Sequence, residues 1–446
     1  MQYSVSETLH RLGFEALTPM QKALAEAAGH GQGGVVLLSP TGSGKTLAYL
    51  LPLLSLLNEH SDALQAVVTV PTRELAKQSE EVLRSLKLPI RAMALYGGRP
   101  TMDEHRSLKG VKPQVVFATP GRLEDHLSKG NLRAEGVAAW VIDEFDKCLE
   151  LGFQEVMDQL AGRFGRVPRV WLLSATEGEG IPAFMARLTG KRCRTLNFLN
   201  GSAETAAQRT AFYEVKSPEK DKLTTLGRLL TELGSCPAIV FVAHRESAER
   251  VANYLRENRF AAEVYHGGME QQRRERALFL FRQGSATVLV STDLAARGLD
   301  IPEVGAIVHY HLPLTAEDFT HRNGRTARWE ATGQAFLITS PVETLPEFAA
   351  QVESLPHPLP EHIAPTPAPF TTLYIGRGKA EKLSKADILG FLCKKGGLNA
   401  SQIGRIDVAP HCAFAAVRSS LVKQLLTRIA GEKIKGMKTI VKPVKN

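Results

Sequence analysis

Cysteine is scarce in this sequence and follows no pattern. The five cysteines (Cys148, Cys193, Cys236, Cys393 and Cys412) are odd in number and none stands in a C-x-x-C pair, which argues against a disulfide framework and against a thiolate zinc site. Long apolar runs are missing too. The longest, Leu47 to Leu57, is broken by Pro52 and falls short of the roughly 18 residues of a membrane span; it reads as a core helix. No basic segment leads into an apolar one near Met1, so nothing supports secretion. These absences lead us to expect a protein of the reducing cytoplasm with no membrane partner. Hydrophobic content of 43% and charged content of 23% are those of an ordinary globular chain. At 446 residues the chain exceeds one core, and a prior of roughly 150 residues per domain gives about three domains.

Acidic residues run short in one place. From Thr371 to Asn446 there are 15 lysines and arginines against 4 aspartates and glutamates, which leaves 40 against 42 for the first 370 residues. The net charge of +9 therefore resides in the tail. A segment of that charge seeks phosphate, the alternative being a merely solvated cationic surface.

Short apolar runs alternate with helix-patterned stretches through the first 340 residues. Gly34–Leu38, Ala66–Val70, Val115–Ala118, Trp140–Ile142 and Val170–Leu173 make one set; after a polar stretch from Asn197 to Arg209, Ala238–Val242, Ala262–Tyr265, Ala286–Val290, Ala306–His309 and Gly333–Ile338 make another. Buried strands separated by helices indicate parallel β-α-β layering, so we expect two tandem α/β domains over 1–203 and 204–343. Prolines crowd the next segment, 344–370, which suits a semi-rigid spacer before a basic domain over 371–446.

Ser39-Pro40-Thr41-Gly42-Ser43-Gly44-Lys45-Thr46 follows the first expected strand and opens a helix, the context of a phosphate-binding P-loop. Glycine N–H groups can approach phosphate, Lys45 can neutralise β/γ oxygens, and the Thr46 hydroxyl can ligate Mg²⁺. Val141-Ile142-Asp143-Glu144-Phe145-Asp146 puts acids at the end of another strand; Asp143 can hold Mg²⁺ and Glu144 can polarise an attacking water. ATP is the expected ligand.

In order and spacing these elements resemble the DEAD-box helicases. Gly13-Phe14 followed by Thr18-Pro19-Met20-Gln21 resembles the family's Q motif, which implies adenine contacts from Phe14 and from the donor and acceptor of the Gln21 amide. Pro71-Thr72-Arg73, Gly97-Gly98 and Thr119-Pro120-Gly121-Arg122 resemble its RNA-contacting loops, and their glycine N–H groups, hydroxyls and guanidinium groups suit a sugar–phosphate backbone. Ser174-Ala175-Thr176 resembles the motif that couples hydrolysis to strand separation, together with Asp146. In the second lobe, Val240-Phe241-Val242, Gln271 with Arg274, the run Ser291 to Asp300 and the run His321 to Arg328 resemble the remaining motifs. The resemblance implies RNA contacts from Gln271, Arg274, Thr292 and Gly298, a ribose contact from Asp300, coupling roles for Asp293, His321 and Arg322, and arginine fingers at Arg325 and Arg328. Two residues depart from the pattern: Phe145 stands where alanine is usual, with packing consequences expected towards Ser174, and Asn323 stands where an apolar residue is usual.

The tail reads as a βαββαβ unit: a strand at Thr372–Ile375, a helix at Lys385–Lys394, strands at Ile403–Val408 and Ala413–Val417, a helix near Leu421–Ile429 and a basic strand at Thr439–Val444. That is an RRM-like α+β arrangement with few stacking aromatics, Tyr374 and Phe414 alone lying on the expected strands, so contact through phosphates and loops is expected. It resembles the RNA-binding domain of the DbpA subfamily, whose members recognise structured ribosomal RNA and act in large-subunit assembly. Two RecA-like P-loop lobes with parallel sheets, followed by this domain, acting as a monomeric ATP- and Mg²⁺-dependent helicase on structured, ribosomal RNA, is the reading adopted. An ATP-controlled RNA clamp and a DNA translocase are the alternatives.

Overall fold

The computed structural model describes residues 16–29, 33–40, 43–98, 101–165, 167–176, 183–189, 193–199, 210–293, 304–326, 332–349 and 351–444. Phe14, Thr41, Gly42, Gly298, Asp300 and Arg328, all named above, lie outside these residues. The chain divides into two compact units, one ending near Gln208 and the other carrying the second lobe together with the C-terminal domain.

The first lobe contains strands β1 (Gly33–Leu38), β2 (Ala66–Thr69), β3 (Ala92–Leu95), β4 (Val115–Ala118), β5 (Ala139–Asp143), β6 (Arg169–Ser174) and β7 (Cys193–Asn197). They form one sheet in the order β3-β4-β2-β5-β6-β1-β7, every pairing parallel. Helices cover both faces, which is why the central strands are continuous apolar runs instead of alternating ones. In β1, Val35 and Leu37 enter one core with Tyr49, Leu50 and Trp171, while Val36 and Leu38 enter the other with Trp140, Phe164 and Phe184. Trp140 is fully buried, its Nε1–H donates to Thr69 Oγ1 (2.8 Å), and its ring lies 4.7 Å from that of Phe164. The apolar run with Pro52 is indeed a core helix, Lys45–Leu54.

The second lobe repeats the plan with β8 (Thr210–Lys216), β9 (Ala238–Val242), β10 (Ala262–Tyr265), β11 (Val288–Thr292), β12 (Ala306–His309), β13 (Gly333–Thr339) and β14 (Glu353–Ser354), ordered β10-β11-β9-β12-β13-β8-β14. The proline-rich stretch does not stand off as a free spacer. It contributes β14 to this sheet, and Leu355, Leu359 and Ile363 pack against the lobe's core. Ile363 packs over Gly227, where a Cβ would lie 2.7 Å from Ile363 Cδ1 and push that side chain aside.

The C-terminal domain has β15 (Phe370–Ile375), β16 (Ile403–Val408), β17 (Ala413–Arg418), a short hairpin β18 (Lys433–Ile434) and β19 (Met437–Lys438), and β20 (Val441–Pro443). Its antiparallel sheet runs β16-β17-β15-β20, packed on the helices Lys385–Lys394 and Val422–Arg428. Ser384 starts the first helix with a capping box, its Oγ accepting from Asp387 N–H. The sheet docks on the second lobe. Phe414 meets Phe279 edge-on at 4.7 Å, Gln283 Nε2 donates to Asp407 Oδ2 (2.9 Å), and the hydroxyls of Ser285 and Thr372 pair at 2.6 Å.

Candidate ATP and RNA site

Sheet order places the motifs of the first lobe. Because all its strands are parallel, every loop after a strand opens on one edge, and an α/β sheet binds ligands at that edge. The neighbours β5, β6 and β1 present the acidic loop, Ser174-Ala175-Thr176 and the P-loop side by side; the neighbours β3, β4 and β2 present Gly97-Gly98, Thr119–Arg122 and Pro71–Arg73. One edge therefore carries the P-loop with the acidic loop on one side and the loops expected to meet an RNA backbone on the other.

On the P-loop side Lys45 is 8% exposed, and its ammonium donates to Ser39 O (2.6 Å) and Pro40 O (3.1 Å). Loop carbonyls thus hold the cation at the mouth of the loop. Ser39, where the general P-loop has glycine, is accommodated through a bond from its hydroxyl to Ser43 Oγ (2.8 Å). Gly44 caps the helix at φ 89°, a conformation costly for side chains, and a Cβ there would lie 2.8 Å from Gln21 Nε2. Gln21 itself is buried. Its Oε1 accepts from Thr18 N–H (2.9 Å) and its Nε2 donates to Gly44 O (3.4 Å), so it ties the Q-like run to the P-loop. One amide hydrogen and one lone pair remain for an adenine edge.

Asp143 ends β5 and is 3% exposed. Burial, then the neighbouring Glu144 carboxylate, push its pKa up to about 7, against the pull of Lys45. The carboxylates of Asp143, Glu144 and Asp146 outnumber the Lys45 ammonium that opposes them, which is the kind of donor set a divalent cation fits. Glu144 sits at φ 50°, in the left-handed region, and Asp143 Oδ1 accepts its N–H (3.0 Å); backbone strain of this kind is a mark of working loops. Asp146 Oδ2 accepts from Thr176 Oγ1 (2.9 Å), and Thr176 N–H donates to Ser174 Oγ (3.0 Å). The acidic loop and the end of β6 are thus joined. Phe145 does not disturb this link: its ring goes the other way, into the core with Trp140 and Phe184.

On the other side of the edge, Thr72 caps the helix Arg73–Ser85 through Leu75 N–H (3.2 Å). The Arg73 guanidinium lies against Gly97 and Gly98; a Cβ at Gly98, whose φ is 92°, would strike Arg73 Nη1, whereas one at Gly97 would only touch the guanidinium. Arg122 is a strut instead of a displayed cation. It is 11% exposed, donates to Tyr96 O (3.3 Å) and pairs with buried Glu104 (3.0 Å). Glu104 Oε2 also accepts from His126 Nε2 (3.0 Å), while Asn131 donates to His126 Nδ1 (3.2 Å). Sequence reading missed Glu104 and His126, since no motif marks them. Pro120 opens the helix Pro120–Ser128, the N–H groups of Arg122 and Leu123 donate to Thr119 O (3.1 and 3.0 Å), and Gly121 is exposed on the same turn.

In the second lobe, Asp293 follows β11 and receives both Nε and Nη2 of Arg322, the latter at 2.8 Å. Arg322 also donates to His311 O (2.7 Å) and lies over the Phe241 ring. His309 explains Asn323. Arg322 Nη1 can only donate, so His309 Nδ1 accepts (3.2 Å) and its Nε2–H donates to Asn323 Oδ1 (3.1 Å). A polar residue at 323 thus completes a buried chain that an apolar one would leave open. Arg325 and His321 are buried, Thr292 is half-buried, and Arg274 donates to Tyr265 OH (3.0 Å) with its guanidinium over that ring. Gln271 Nε2 donates to Glu275 (3.3 Å).

The chain matches three family models: "DEAD/DEAH box helicase" over residues 18–181, "Helicase conserved C-terminal domain" over 221–330 and "DbpA RNA binding domain" over 372–443. It is 35% identical to the ATP-dependent RNA helicase DbpA of Escherichia coli, covering 96% of this chain and 94% of that one. It is also 35% identical to the DEAD-box ATP-dependent RNA helicase CshA of Bacillus subtilis, over 76% of this chain and 68% of that one. Among solved structures, the DEAD-box helicase Mss116 bound to single-stranded RNA and UDP-BeF superposes with a TM-score of 0.68 at 26% identity, covering 75% of this chain and 72% of that one. The chain belongs to the DEAD-box ATP-dependent RNA helicases, with two RecA-like lobes and a C-terminal RNA-binding domain of the DbpA type.

Proposed function

We propose that this helicase couples ATP hydrolysis to local unwinding of structured ribosomal RNA during assembly of the large ribosomal subunit, in the cytoplasm and as a monomer. The observation that carries the reading is the docked C-terminal domain. Its aromatic sheet face, with Phe414, is spent on Phe279 of the second lobe, so its contact with RNA falls to loops and to the 15 basic residues of the tail. Such a surface suits a folded RNA element better than a stacked single strand. The lobes are nearly neutral and their loops offer backbone groups, hence little choice among sequences; the tail supplies that choice.

ATP binds at Ser39–Thr46, with Lys45 on its phosphates and Gln21 at the adenine. Mg²⁺ would be held by Thr46 and Asp143, where it would supply positive charge beside the carboxylates. Glu144 polarises the attacking water, and Arg325 and Arg328 stabilise charge developing on the transferred phosphoryl group. Thr176 and Asp146 pass the state of the nucleotide to the backbone-binding loops, and Asp293 with Arg322 does so in the second lobe. Thr72, Arg73, Gly97, Gly98, Gly121, Thr292, Gln271 and Arg274 hold RNA through its backbone.

The test is titration of ATPase activity with a structured large-subunit ribosomal RNA fragment and with an unrelated RNA of equal length, for the full chain and for a chain lacking residues 371–446. The ribosomal fragment should act at far lower concentration on the full chain, and the deletion should erase that difference. Equal responses of the full chain to both RNAs would sink the ribosomal reading and leave a general RNA helicase.

A further inference from the structure

The helix Gln271–Arg282 of the second lobe serves different ends along its length. Gln271 and Arg274 stand at its start, in the proposed backbone contact, and Phe279 and Gln283 hold the C-terminal domain at its far end. Beside its middle runs a groove of about 510 Å³, floored by Phe260 and Met269 and rimmed by Arg256, Arg273, Arg276 and Glu263. No motif claims it.

The groove follows β10, the outermost strand of its sheet. An open edge strand invites another strand, but this one is blocked: Arg256 Nε donates to Ala262 O (2.9 Å), and its Nη2 reaches Glu263 (3.3 Å). The same contacts commit the groove's one acid to Arg256. Arg273 and Arg276 are exposed beside the Arg256–Glu263 pair, so basic side chains outnumber acidic ones along a concave surface, which concentrates anions. Guanidinium forks match phosphate oxygens, and the rim holds nothing arranged to read bases.

We propose that this groove is an accessory binding site for the RNA sugar–phosphate backbone, and that it carries the strand leading from Gln271 and Arg274 towards the element held by the C-terminal domain. RNA is the occupant that fits, because the helix that lends Arg273 and Arg276 to the groove also carries Gln271 and Arg274 at one end and meets the RNA-binding domain through Phe279 at the other. The proposal rests on the reading of Gln271 and Arg274 as backbone contacts, and the experiment separates the two.

The full chain is titrated with fluorescein-labelled oligouridylates in a non-hydrolysable ATP analogue, one oligomer too short to leave the contact at Gln271 and Arg274 and one long enough to run past β10. The variant is Arg273→Gln with Arg276→Gln, both on the surface. The long oligomer should bind about tenfold more weakly to it, with the slope of log affinity against log salt shallower by roughly 1.4, as two lost single-strand phosphate contacts require. The short oligomer should bind as it does to the parent. Unchanged affinity and slope for the long oligomer would overturn the proposal. A second variant, Gln271→Ala with Arg274→Ala, should weaken both oligomers; if it weakens neither, the contact at those residues fails while a loss confined to Arg273 and Arg276 still assigns the groove.

Discussion

Lowering the pH from about 7.5 to about 5 should cost the second lobe roughly 2 kcal/mol through His309 alone. His309 is fully buried between the rings of Phe241 and Phe319, with Arg322 at Nδ1 and Asn323 at Nε2. Burial first, and then the Arg322 charge, push its pKa down from 6.5 to about 3, with Asn323 opposing. The folded state therefore refuses a proton that the unfolded chain accepts. Stability from this residue is fully present above about pH 6.5 and is lost progressively as the pH falls towards 3. At pH 5 the unfolded imidazole lies about 1.5 units below its pKa, which gives the ~2 kcal/mol. His311, pushed down to about 4 by burial and then by Lys222, adds to the loss with the same sign. Urea unfolding of a fragment spanning residues 209–446 over this range measures it, with His309→Gln as the comparison. Between pH 5 and 6 the parent's slope should exceed the variant's by about 1.4 kcal/mol per pH unit, one proton's worth. Equal slopes, or an imidazole resonance of His309 titrating near 6.5, would refute the reasoning.

Lys45→Ala should reduce ATP hydrolysis to background while RNA binding through residues 371–446 survives, because the lost ammonium serves phosphate; ATPase and filter-binding assays on one preparation check both. Thr176→Val removes the 2.9 Å bond to Asp146, and should cost about 1 kcal/mol of first-lobe stability while strand displacement falls much further than RNA-stimulated ATPase. Equal losses in both activities would remove Thr176 from coupling. Phe145→Ala introduces the residue usual at that position, yet it should destabilise the first lobe by roughly 3–5 kcal/mol in a urea titration, since the ring fills a core that an alanine leaves empty. A neutral effect there would mean that the core closes over the gap.

Much of the fold could be read from residues because buried parallel strands are written as continuous apolar runs. Ala262–Tyr265, Ala306–His309 and the helix Lys385–Lys394 fall where patterning expects them. Most strands that escaped are of another kind: β3 (Ala92–Leu95) has no β-branched residue, β7 (Cys193–Asn197) is polar and largely exposed, and β14, β18 and β19 are two residues each, whereas β8 (Thr210–Lys216) is rich in strand formers and was passed over directly behind the polar stretch. The proline-rich stretch was misread for a physical reason: its composition reports local stiffness and says nothing of Leu355, Leu359 and Ile363 docking on the second lobe. Within the site, Lys45 and Asp143 were visible because phosphate and metal chemistry requires those types at those spacings, and Asp146 and Thr176 were visible through the resemblance to the DEAD-box motifs. Glu104, His126 and His309 were not, because a buried polar partner leaves no periodic trace; its position is set by the arginine it satisfies. Asn323 looked like a defect until His309 supplied the other half of the pair.

The central claim is that Glu144, at the left-handed turn after β5, polarises the water that attacks ATP, and phosphate release by Glu144→Gln under saturating structured RNA tests it most directly. Glutamine keeps the shape and loses the basicity, so turnover should fall by about 10²–10⁴, the range of general-base catalysis. ATP affinity should be retained, and RNA should stay bound as long as ATP is present. Turnover within a few-fold of the parent, with ATP and RNA bound normally, would contradict the account and move the base elsewhere.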